Sequence, residues 1–85
     1  MGAVSKYDPL LQHLAKSDAL MLTLSFDEVE QILGTPLPPS ARRYSAWWAN
    51  QEGKGHVESD AWMEAGYRTE DLDLNAGTVI FRKVG

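Results

Sequence analysis

Cysteine is absent from this chain of 85 residues, which excludes disulfides and thiolate-ligated metal sites. That absence fits a reducing compartment, and the cytoplasm is the expected location. Histidine is scarce: His13 and His56 are the only two. Two histidines without a cysteine offer no nucleophile–base constellation, so no enzyme is expected. The N-terminal Met-Gly-Ala-Val-Ser-Lys lacks the apolar run of a signal peptide, and Lys6 stands where a myristoylation pattern wants Ser or Thr. No apolar run approaches the length of a membrane span, and no membrane partner is expected. Cofactor motifs are missing as well. Gly53-Lys54-Gly55-His56 lacks the spacing of a phosphate loop, and His56-Val57-Glu58 lacks the cysteine pair of the zinc deaminases.

What is present suits one small soluble domain, with 44% hydrophobic and 24% charged residues. The formal net charge of −4 speaks against a simple nucleic-acid binder, which carries a basic patch. The charge is nevertheless polarised along the chain. Arg42, Arg43 and Lys54 stand against the single anion Glu52 between Ser40 and His56, and Arg82-Lys83 form a second basic spot. Carboxylates gather at 27–30, 58–64 and 70–73.

Periodicity and punctuation give an α+β order. A first helix is expected from Asp8 as cap and Pro9 as first helical residue, with Leu10, Leu11 and Leu14 on its apolar face. His13 reads as an ordinary surface or capping histidine. The apolar run from Ala19 to Leu24 is too short for a free helix and reads as a strand. Ser25-Phe26-Asp27-Glu28 is a capping box opening a helix with Phe26, Val29, Ile32 and Leu33 on one face, closed by Gly34. Ser40 is expected to cap a short helix over 41–44. A loop over 50–55 precedes a helix from His56 to Ala65, with Trp62 in the core and Glu58, Ser59 or Asp60, Met63 and Glu64 outside. Tyr67 to Leu74 and Thr78 to Lys83 form a hairpin, with Gly77 supplying positive φ in its loop. This is the element order of a winged helix: three helices packed on a small antiparallel sheet made of the short strand and the hairpin. The interval from Gly34 to Gly55 is longer than the turn of a helix-turn-helix.

That interval holds Trp47 and Trp48, two of the three tryptophans, and three of the four prolines. Adjacent side chains point apart, so one indole is expected in the core and the other nearer the surface. The Leu-Pro-Pro-Ser-Ala-Arg of 37–42, Trp-Trp-Ala-Asn of 47–50, Ala-Trp of 61–62 and Ala-Gly-Tyr of 65–67 resemble the signature of a small bacterial domain family of unknown function. Tyr7, Pro9, Leu10 and the segment 79–82 match the same pattern, so the resemblance covers nearly the whole chain. Members of that family occur partly among DNA-defence proteins, which implies duplex DNA as a partner. Polar or basic residues are common in that pattern where this chain has Glu58 and Asp60.

The expected DNA contacts are Arg42, Arg43, Trp48, Asn50, Lys54, His56, Ser59, Arg82 and Lys83. Guanidinium forks clamp phosphates, an exposed indole stacks on bases, and an asparagine amide reads adenine. The bland readings are a paired or solvated arginine, a core indole and a turn-capping asparagine. An acidic monomer should bind DNA weakly, which implies a homodimer or a second DNA-binding partner. The alternative is a protein-interaction domain or acidic inhibitor whose carboxylate faces meet a basic partner. Asp60 and Glu64, four apart, share a helical face and form a weak cation-site signal. No metal or other cofactor is expected.

Overall fold

The strongest local signal is realised in full. Ser25 Oγ accepts from Glu28 N, Glu28 Oε1 accepts from Ser25 N, and helix α2 (Phe26–Leu33) follows at once. It ends at Gly34, whose φ of 77° is the left-handed conformation that its position demands. The computed structural model describes residues 6–50 and 57–84. In chain order these are helix α1 (Asp8–Ala15), strand β1 (Met21–Ser25), α2, short helix α3 (Pro39–Arg43), a 3-10 turn (Ser45–Trp48), helix α4 (Val57–Glu64), and strands β2 (Tyr67–Asp73) and β3 (Thr78–Lys83).

The result is an α+β domain with three helices of eight residues (α1, α2 and α4) and one antiparallel sheet in the order β1-β3-β2. Met21 faces Arg82 and Ser25 faces Thr78, so the short strand joins the C-terminal hairpin as expected. Several ends shift. Tyr7 caps α1, putting Asp8 and Pro9 inside the first turn. The short strand starts at Met21 because the carbonyls of Ser17 and Ala19 turn aside to the Tyr67 hydroxyl, at 3.3 and 2.7 Å. Pro38 rather than Ser40 caps α3, whose first residue is Pro39 with its pre-set φ. β2 stops at Asp73 after a register irregularity that holds Asp71 at φ 48°.

The core is aromatic. Phe26, Trp48 and Trp62 stack in sequence, with centroids 5.1 and 5.9 Å apart. Phe81 meets Trp62 edge-on from β3, and half-buried Trp47 lies edge-on between Tyr7 and Trp48. Leu10, Leu14, Val29, Leu33, Leu37 and Val79 fill the space around this stack. Such pairs add roughly 0.5–1.5 kcal/mol each beyond area burial, which matters in so small a domain. Trp62 is fully buried, as its sequence position predicts.

Candidate functional site

The residues most distinctive in sequence serve the core. Trp48 is only 2% exposed, and its Nε1 donates to Ala41 O at 2.7 Å. The expected base-stacking role is therefore corrected: the indole lies between Phe26 and Trp62, and Trp47 is the outer of the pair. Asn50 is corrected likewise. Its Oδ1 accepts from Trp62 Nε1 at 2.9 Å and Thr69 N at 2.8 Å, while its Nδ2 donates to Thr69 O at 3.0 Å. The amide pairs with Thr69 as a neighbouring strand would, which leaves it no free edge for adenine. Ser59 is buried within α4 and offers no surface contact.

Arg42 is engaged too. Its guanidinium meets Asp27 at 3.0 Å and Glu30 at 3.1 Å and lies 5.7 Å from the Phe26 ring centroid. Glu30 also accepts from Leu37 N, and this hydrogen bond, followed by the one from Arg42, holds its carboxyl below the ordinary glutamate range. The pairing raises the Arg42 guanidinium above its usual value, with Asp27 contributing most. Arg42 thus clasps α3 onto α2. Arg43 is exposed and makes no ion pair among the described residues.

The basic spots do not converge on one site. Arg42 sits by Phe26, whose amide bonds Gly77 O at the hairpin-loop end of the sheet. Arg82 faces Met21 at the other end, four residues or roughly 13 Å along the strand. There Arg82 stands opposite Arg68 and 3.7 Å from Glu70, while Lys83 Nζ lies 5.9 Å from the Tyr67 ring centroid. Lys54 and His56 fall outside the described residues.

A different constellation emerges where α4 passes into β2. Asp60, Met63 and Glu64 on α4, with Gly66, Tyr67, Arg68 and Val84, line a cavity of about 320 Å³. Gly66, at φ 87°, makes the sharp return that brings the two walls together, and its carbonyl accepts from Val84 N. Asp60 and Glu64 are one helical turn apart and engage in no ion pair among the described residues; Arg68 opposite them is equally unengaged. Met63 and Val84 give the groove an apolar lining, and Val84 is 40% exposed. Nothing in the local pattern marks Arg68 or Val84, and Met63, expected outside, is instead partly buried against the core. The Asp60–Glu64 spacing was the one available signal. No group of three or more potential metal ligands occurs among the described residues, and no helix there is long and apolar enough to cross a membrane.

Residues 7–84 match the model of a family described as a domain of unknown function, DUF7662. The chain belongs to that family. Among curated proteins and among solved structures nothing matches. The DUF7662 match spans the aromatic stack, the Asn50 network and the α4–β2 groove alike, so it covers both scaffold and candidate site.

Proposed function

We propose that this DUF7662 domain is a non-enzymatic protein-interaction module that receives a basic side chain of a partner in the groove between α4 and β2. The observation that carries this reading is the pair Asp60 and Glu64, in no ion pair among the described residues, beside an apolar lining of Met63 and Val84. An arginine or lysine lays its methylene stem on apolar surface while its charged head reaches carboxylates. Arg68 on the opposite wall suits a carboxylate of the same partner and sets its direction. The net charge of −4 favours the approach of a basic partner. A cytoplasmic setting accords with the lack of cysteine.

A second reading, duplex DNA, is favoured by two observations. The helix and strand order and the sheet order β1-β3-β2 suit a winged helix, and Arg68 and Arg82 stand side by side across two strands. Against it, the helix in the recognition position carries Glu58, Asp60 and Glu64, which repel phosphates. Calorimetric titration with a short arginine-leucine peptide separates the two. Binding weakened about tenfold or more by Asp60→Asn with Glu64→Gln, as loss of charge-assisted bonds implies, supports the groove. Binding of a random duplex at low salt with no peptide binding would reverse the preference.

A further inference from the structure

The two edges of the sheet are treated differently. On β2, the Asn50 amide occupies both outward backbone groups of Thr69, and beyond Glu70 the register breaks at Asp71. Arg68, Glu70, Asp71 and Asp73 add charge along that strand. Bulges, charges and covering groups are the usual means of blocking an edge. The opposite edge, β1, reads Met-Leu-Thr-Leu-Ser, with no charge, proline or register break. Lys83 N bonds Leu20 O, so Leu20, Leu22 and Leu24 turn their backbone groups toward β3. Met21, Thr23 and Ser25 therefore turn theirs outward. Ser25 N is taken by Glu28, while Met21 and Thr23 meet no partner strand among the described residues.

We propose that β1 is the docking edge for a second copy of this chain, paired antiparallel about a two-fold axis at Thr23. This inference is independent of the α4–β2 groove. Three features of the register argue for a copy rather than another strand. With Thr23 opposite itself, the Thr23 N–H and C=O of each copy bond those of the other, and Met21 N–H faces Ser25 C=O of the other copy, while Ser25 N–H stays with Glu28. Leu22 of one copy comes beside Leu24 of the other, at the mouth of a cavity of about 280 Å³ lined by His13, Leu24, Glu28 and Ile32 among others. Leu20 and Met21, 74% and 52% exposed, are covered by the same movement. Charge also complements in excess: Asp27, Glu28 and Glu30 outnumber Arg42 at one end of β1, and Arg68, Arg82 and Lys83 outnumber Glu70 at the other. Antiparallel pairing sets these ends against each other twice.

Sedimentation equilibrium and amide exchange on the unmodified protein test this directly. The mass should rise with concentration toward twice the 9.5 kDa of the chain. Met21 and Thr23 amides should gain protection as it rises, while Leu22 and Leu24 stay protected throughout. Thr23→Lys places like charges at the axis and should hold the protein monomeric; mixing it with Thr23→Glu should restore a dimer of one copy of each. A protein that stays monomeric at every concentration overturns the proposal. So does a concentration-dependent dimer in which Met21 and Thr23 amides exchange as freely as in dilute solution, a result that needs no variant to fold.

Discussion

Replacing Asn50 with alanine removes one small polar side chain and strands several groups at once. Trp62 Nε1–H, Thr69 N–H and Thr69 C=O lose their partners at 2.9, 2.8 and 3.0 Å. Trp62 is fully buried and Thr69 nearly so, leaving little access for water as a substitute. An unsatisfied buried group costs about 1–3 kcal/mol, so a loss of about 3–5 kcal/mol is expected after partial relaxation. The domain has roughly 4–13 kcal/mol in total, at 0.05–0.15 per residue. At about 4–8 °C per kcal/mol for a domain of this size, the melting temperature should fall by roughly 12 °C or more. Asn50→Asp keeps the acceptor for Trp62 and Thr69 N but sets an oxygen against Thr69 O, so it too should destabilise. Thermal melts followed by near-ultraviolet circular dichroism report on the tryptophans themselves. A melting temperature within a few degrees of wild type for Asn50→Ala would refute the structural role assigned to this residue.

Trp62→Ala should cost about 3–5 kcal/mol and leave the domain largely unfolded, whereas Trp62→Phe, which keeps one aromatic ring in the stack while losing the second and the bond to Asn50, should be destabilised less; urea titration distinguishes them. Glu30 has its carboxyl held below the ordinary range when folded, first by the Leu37 amide and then by Arg42. Its contribution to stability is therefore complete above the unfolded value of about 4.3 and is lost as pH falls from there through the folded value. Urea midpoints measured down that range should flatten in Glu30→Gln, and an unchanged acid slope would show that Glu30 does not contribute.

Local signals in the sequence translated well because each requires only neighbours. Ser25 and Glu28 lie three apart, and Gly34 and Gly77 fill left-handed positions that their own segments create. Trp62 was legible as core from its helical face. Trp48 was not, because adjacency guarantees only that two indoles diverge; Phe26 and Trp62 decide which one is enclosed. Asn50 misled for a related reason: a side-chain amide offers the same donor and acceptor to an adenine as to a strand edge. Ser59 was expected on the surface because α4 shows little apolar contrast along its length, and its burial is set by tertiary packing. Arg42 looked free because its partners Asp27 and Glu30 lie on the preceding helix. The groove draws residues from 60 to 84 onto one site, and only the Gly66 return and the sheet register join them.

Titration of isotope-labelled protein with the arginine-leucine peptide, followed amide by amide in nuclear magnetic resonance spectra, tests the assigned binding site most directly. The groove predicts saturable shifts centred on Asp60, Met63, Glu64, Arg68 and Val84. A matched glutamate-leucine peptide should leave the Asp60 and Glu64 resonances in place. Shifts confined to Arg43 and its surroundings, or a groove that responds to neither peptide, would contradict it.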